Sequence, residues 1–237
     1  MSRSAIAVIT FILAGLFAVS PAFVPDFGGF DAGQFPVPQE DPPVQPAGYA
    51  FSIWGLVYLW LLVGLGYGIW KRREDAQWHA MRLALIPSLA VGAIWLAVAV
   101  SSPIWASVLI WIMLVTALWA LFRSPVQDKW FAALPLGLYA GWLSAASCVS
   151  LGLLAAGYGY LEQTTAAIAA IILALVIASM VQNQLGRAPS YGIAVIWALV
   201  AVVVQNVAQP NSTVAALAAG GAIALAFPTF KAWRAGG

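Results

Sequence analysis

With 237 residues, 63% hydrophobic and only 8% charged, the chain departs far from a soluble domain, in which roughly 25% of residues are charged and 45–50% apolar. So little polar surface cannot cover a water-soluble globule, so lipid must be the solvent for most of the chain. Ten Lys and Arg against eight Asp and Glu leave a formal charge of +2, which gives no reason to expect nucleic acid as a partner.

Backbone in lipid must satisfy its own hydrogen bonds, which leaves helices or a closed barrel. The apolar runs are long and do not alternate, so the expected fold is all-α, a polytopic transmembrane helix bundle. Eight runs are read in chain order: 5–24, 48–70, 83–101, 104–122, 132–156, 164–184, 191–207 and 213–230. Each approaches the roughly 20 residues needed to cross a hydrocarbon core of about 30 Å. The first run, with Arg3 before it and Ser20-Pro21-Ala22 after it, also has the outline of a secretory signal. Its apolar stretch exceeds the usual length of such a segment, and it is read as a span. The seventh is the shortest.

Eight spans place every basic residue on one side. Arg3 precedes the first span, and Lys71, Arg72, Arg73 and Arg82 fall between the second and third. Arg123, Lys129, Arg187, Lys231 and Arg234 follow at the later even-numbered boundaries. The opposite loops hold Asp26, Asp31, Glu40, Asp41 and Glu162 without any Lys or Arg. The positive-inside rule then expects both termini in the cytoplasm of a bacterial inner membrane.

Between the first two spans lies an outer loop, residues 25–47, rich in proline and carrying Phe27, Phe30 and Phe35. It is either an extended surface loop or a lid whose aromatics pack over a pocket between helices. Gly64 and Gly68, and Gly137 and Gly141, form two Gly-x-x-x-Gly pairs for close helix contact within the chain or across a homodimer.

No ionisable residue is expected inside a span, which argues against proton-coupled carriers and pumps. Catalytic residues are expected to be none, and metal ligands none. The acids lie in loops, His79 is alone in a charged loop, and Cys148 has no partner for a disulfide or a metal site. Twelve tryptophans remain. Trp70, Trp78, Trp105, Trp130 and Trp233 lie near span ends, as an interfacial belt requires. Trp54, Trp60, Trp95, Trp111, Trp119, Trp142 and Trp197 lie deeper. They form either a packed aromatic core or a pocket for a flat apolar ligand.

Two strings carry a family resemblance. The second span reads Pro46-Ala-Gly-Tyr-Ala-Phe-Ser-Ile-Trp54-Gly-Leu-Val-Tyr58, directly after the proline-rich loop, and the fifth reads Tyr139-Ala-Gly-Trp142-Leu-Ser-Ala-Ala-Ser. Both resemble the TspO/MBR family of tryptophan-rich sensory or translocator proteins, over about residues 1–157. The resemblance implies a five-helix bundle with a pocket beneath the first loop. It also implies a tetrapyrrole ligand such as haem or protoporphyrin, or a sterol- or carotenoid-like one, with no cofactor required. Trp54, Tyr58, Trp95, Tyr139 and Trp142 are its implied ligand-binding residues. Light-dependent porphyrin breakdown is a weaker implication. Two positions depart from the pattern: the family often carries Asn where this chain has Gly92 and Ser150, so the pocket is expected to be less polar.

Residues 158–237 form a three-helix C-terminal extension, with Gln182, Asn183, Gln184, Gln205 and Asn206 near the ends of the sixth and seventh spans. These amides are expected to cap helices or meet headgroups. The alternative to a binding or sensory protein is an accessory subunit packed against a larger membrane complex such as a pigment–protein assembly.

Overall fold

The computed structural model describes residues 1–24 and 27–235. Pro25 and Asp26 of the outer loop lie outside the described residues. Among the described residues there is no strand, and eight helices are long and apolar enough to cross a membrane. They are α1 (Arg3–Val19), α2 (Ile53–Lys71), α3 (Ala76–Ala99), α4 (Pro103–Phe122), α5 (Ala133–Gly157), α6 (Gln163–Leu185), α7 (Ser190–Ala208) and α8 (Ser212–Ala235). A short 3-10 turn, Ser20–Phe23, continues α1, and another, Gly48–Ser52, leads into α2.

Local chemistry fixes several boundaries. The Asp75 carboxylate accepts from the backbone N–H groups of Gln77 and Trp78 at 2.9 and 3.0 Å, starting α3. Ser102, followed by Pro103 in the first turn, starts α4, and Glu162 starts α6 by accepting from Thr165 N–H at 3.0 Å. These acceptors meet the N–H groups that a first helical turn leaves unpaired. Two backbone hydrogen bonds, from Thr164 and Thr165, hold the Glu162 carboxyl below its ordinary range. Gly186, with φ of 59°, ends α6 in the left-handed conformation that favours glycine.

The Asp75 cap corrects two expectations. Hydropathy alone places the third span at 83–101, with Arg82 and His79 in a loop. The helix instead begins at Ala76, so His79 lies in its first turns and Arg82 further in, fully buried. An ionisable residue therefore does lie within a span. Arg82 Nη1 donates to the carbonyl oxygens of Arg72 and Arg73 at 3.2 and 3.3 Å, and its guanidinium lies 5.2 Å from the Trp78 ring centre. Trp78, expected in an interfacial belt, is likewise fully buried.

α5 is the central helix: nineteen of its 25 residues are buried. It packs against α2, α4, α6 and α7, while α1 covers α2 and α3, and α8 lies across α6 and α7. Both Gly-x-x-x-Gly pairs are used inside the chain. A Cβ on Gly64 would strike the Phe131 carbonyl, and one on Gly68 would meet Trp78 and Arg82. Gly137 and Gly141 bring α5 against Ser190 and Tyr191, so that a Cβ at Gly141 would strike the Tyr191 carbonyl. Because that obstacle is backbone, Gly141→Ala is expected to lower stability by about 1–3 kcal/mol, read as a lower Tm in detergent. Gly220→Ala, where a Cβ meets nothing within 4 Å, is expected not to lower it.

The loops gather at two ends. At one, Arg3 donates to the Glu74 carbonyl at 2.8 Å and Arg72 pairs with Asp128 at 2.8 Å. Arg187 Nη1 donates to Ser124 Oγ at 2.9 Å, and the last turn of α8 lies beside Lys129 and Arg187. At the other end the outer loop lies across the helix tips. Val37 N–H donates to the Gly157 carbonyl at 2.9 Å, and Ala47 N–H to the Ala201 carbonyl at 3.1 Å. Asn206 Nδ2 donates to the Pro43 carbonyl at 2.8 Å. Phe35 and Val44 sit against Gly157 and Gly152, where a Cβ would collide with Phe35 or press on Val44. The loop is thus fastened to α5 and, through Ala201 and Asn206, to α7 of the extension.

Candidate functional site

Aromatic residues of α1, α2 and α5 meet around Phe17 of α1. Its ring lies edge-on to Trp54 at 5.6 Å, Tyr58 at 5.0 Å and Tyr139 at 5.8 Å between centres. Trp54 and Tyr58 stack at 5.4 Å, one turn apart on α2, and Trp54 reaches Trp142 at 6.4 Å. Such edge-on and offset pairs are the arrangements that ring quadrupoles favour. Gly92 makes the cluster possible, since a Cβ there would come within 2.9 Å of the Phe17 ring.

Tyr139 is fully buried, and its hydroxyl lies 2.8 Å from Ser88 Oγ. Ser88 already donates to the Met113 carbonyl at 2.8 Å, so Tyr139 is the donor in that pair. Tyr191 of α7 repeats the arrangement, donating to Ser144 Oγ at 2.9 Å while Ser144 donates to the Ala140 carbonyl at 2.9 Å. Both tyrosines fasten helices to one another through bonds that a buried hydroxyl requires.

On the outer side of this cluster lies a cavity of about 50 Å³. Trp95 and Trp142 form part of its walls, and Phe27, Phe30, Gln45 and Pro46 of the outer loop close it. Phe27 lies edge-on to Trp95 at 5.4 Å and to Phe30 at 5.7 Å. Trp95 donates its indole N–H to the Ala106 carbonyl at 2.8 Å, so it offers the cavity a ring rather than a donor. Ser150 also lines the cavity and donates to Ser107 Oγ at 2.7 Å. Of the five residues singled out in the sequence, Trp95 and Trp142 line the cavity. Trp54, Tyr58 and Tyr139 stand behind it in the Phe17 cluster.

A second, smaller cavity of about 20 Å³ shares Ala145, Val149 and Ala198 with the first and runs between α5, α6 and α7. Together the two outline an apolar slot to which the extension helices contribute a wall. Ligand pockets commonly measure 300–1,000 Å³, so the slot in this closed arrangement is too small for a planar ring system. Admitting one requires the outer loop to move.

The lining carries no Lys, Arg, His or Cys at the first cavity, and the described acids of the outer end are Asp31, Glu40, Asp41 and Glu162. A haem would find no axial ligand there and no cation for its carboxylates. Among the described residues no group of His, Cys, Asp and Glu could hold a metal ion.

The charged centre lies at the basic end. Asp128 accepts from Arg72 Nε at 2.8 Å, Trp78 Nε1 at 2.8 Å and Tyr67 Oη at 3.1 Å. Burial works against the carboxylate, but bonds from Arg72, Trp78 and Tyr67 outweigh it and hold the carboxyl below its ordinary range. The same Asp128 bond raises the pKa of Arg72.

A family model described as TSPO-like protein matches residues 4–230. The chain belongs to the TSPO-like family. No curated protein and no solved structure gives a match. The TSPO-like match runs through α6 and α7 and into α8, which fits a fold in which those helices anchor the outer loop and wall the slot. Sequence reasoning missed Phe17, Gly157 and Ala198 as parts of the site. The Gly92 departure and the run of glycines along α5 were the available signals, because each lost Cβ marks an incoming side chain or backbone.

Proposed function

We propose that this TSPO-like membrane protein binds a neutral planar or elongated apolar molecule, sterol- or carotenoid-like, in the slot beneath the outer loop. The observation that carries the reading is the cavity between Trp95 and Trp142, closed by Phe27 and Phe30. Its rings and aliphatic walls favour a flat apolar body, and Gln45 and Ser150 provide room for one polar group. Tetrapyrroles belong to the same shape class, but their carboxylates meet a slot whose lining has no Lys, Arg or His, so protoporphyrin and haem are expected to be the poorer ligands. In this reading the basic end faces the cytoplasm of a bacterial inner membrane, and the ligand enters from the outer side. The accessory-subunit alternative loses one support, because both Gly-x-x-x-Gly pairs are occupied within the chain.

Titration of purified protein with a sterol, a carotenoid and protoporphyrin, followed by tryptophan quenching, tests this. Saturable quenching by a neutral ligand is expected, weakened about tenfold or more in Trp142→Ala, which removes a wall worth roughly 1.5–3 kcal/mol. Quenching that is linear for all three, or unchanged in Trp142→Ala, would contradict it.

A further inference from the structure

α6 and α7 both pack on α5 and on α8 but meet each other little. The second cavity lies in the crevice this leaves. Ala145 and Cys148 of α5, Ala170 and Ala174 of α6 and Ala198 of α7 give it walls of short side chains, none of them charged. The rest of its α7 wall is Val195, Leu199 and Val202, which are three and four residues apart and so share one helix face. Asn206 continues that face by one turn toward the outer end. Val44 of the outer loop also lines the cavity, and its neighbour Pro43 gives its carbonyl to Asn206.

Asn206 is only 2% exposed. Both hydrogens of its amide are engaged, by the Pro43 and Val202 carbonyls at 2.8 Å each. A rotated amide would set its oxygen against those two carbonyl oxygens, so the orientation is fixed. Oδ1 is left without a donor, the one buried side-chain oxygen in that position among the described residues. Buried polar atoms nearly always have a partner, and leaving an acceptor unmet is costly. Here the unmet acceptor stands at the end of an otherwise apolar wall, where a molecule carrying a single hydroxyl satisfies it.

We propose that the ligand of the slot is a lipid alcohol whose hydroxyl donates to Asn206 Oδ1 and whose apolar body runs along α7 through the second cavity toward the first. This rests on the ligand reading given above and narrows it, since the molecule must carry a hydroxyl at its outer end and reach both cavities. Between Val195 and Asn206 α7 rises about 17 Å, a length suited to a sterol or to one arm of a hydroxylated carotenoid. A ketone or an ester would bring an acceptor to an acceptor. An amine would donate, but its charge would enter walls that hold no counter-ion.

Displacement of dehydroergosterol, a fluorescent sterol that accepts energy from tryptophan, by cholesterol, cholest-5-ene and cholest-4-en-3-one tests the proposal. β-Cryptoxanthin and β-carotene, which quench tryptophan directly, form a second set differing by one hydroxyl. In each set the alcohol is expected to bind about tenfold more tightly than its partners. Asn206→Leu is expected to bring the members of a set within about twofold of one another. Loss of the loop clamp in that variant acts on all of them alike, so the ratio isolates Oδ1. Ala174→Phe, which fills the second cavity and leaves Trp95 and Trp142 in place, is expected to weaken the alcohol about tenfold and is read beside its Tm. Saturable binding with equal affinities in the unaltered protein would overturn the proposal alone, assigning Oδ1 to a buried water and leaving the slot as a site. So would a preference for the alcohol that survives in Asn206→Leu. Binding that never saturates for any of the five would remove both readings.

Discussion

Gly157→Leu is expected to release the outer loop while leaving the helix bundle intact. Phe35 lies against Gly157 so closely that any Cβ would displace its ring, and the Gly157 carbonyl accepts the Val37 N–H at 2.9 Å. Displacing a buried phenylalanine removes about 1.5–3 kcal/mol of burial, which translates into amide exchange at Val37 and Gln39 faster by one to two orders of magnitude. Exchange within α5 and α7 is expected to stay slow. The outer slot is too small for a ligand while the loop is seated, so the same variant is expected to speed ligand association. Unchanged exchange at Val37 would show that Phe35 is not what holds the loop.

The second large effect is expected at the opposite end. Asp128→Ala strips the buried Trp78 indole of its acceptor and Arg72 of its counter-charge in a single change. A buried donor left unpaired costs about 1–3 kcal/mol, so a clear fall in Tm is expected. Asp128→Asn, which retains one carbonyl oxygen, is expected to fall less. The pH dependence has a definite sign. The Asp128 carboxyl is held below its ordinary range, so its contribution to stability is fully present above the unfolded carboxyl value of about 4. It is lost as pH falls through the lower folded value. Asp128→Asn is therefore expected to flatten the acid limb of a Tm-against-pH curve below about pH 4. An acid limb identical in the variant would assign the loss to other groups.

These two effects bracket what the sequence makes legible. Eight apolar runs and a one-sided set of basic residues were enough to define the helices, because a lipid solvent leaves so few arrangements of backbone. The fold departs from that reading where a side chain overrides hydropathy. Capped by Asp75, α3 starts seven residues before the expected span and carries Arg82 into the bundle. The site was only half legible. Trp95 and Trp142 line the cavity, but the family resemblance that implied Trp54, Tyr58 and Tyr139 cannot say which face of a helix meets a void and which meets Phe17. The amides near the ends of α6 and α7 were read as caps or headgroup contacts. Gln182 does cap, but the following helix, accepting the Gly192 N–H in the first turn of α7 at 2.9 Å, whereas Asn206 clamps the outer loop. Partners 10 and 163 residues apart leave no periodic trace in a chain.

Under the proposed function the ligand sits beneath the outer loop rather than at the lipid-facing surface. Photolabelling with a neutral, flat, diazirine-bearing sterol analogue, followed by peptide mapping, addresses it most directly. Adducts at residues 27–30 and 145–153, abolished by excess unlabelled sterol and reduced in Trp142→Ala, are the expected result. Adducts confined to exposed residues such as Leu59, Ile223 and Phe227, and insensitive to competitor, would contradict it.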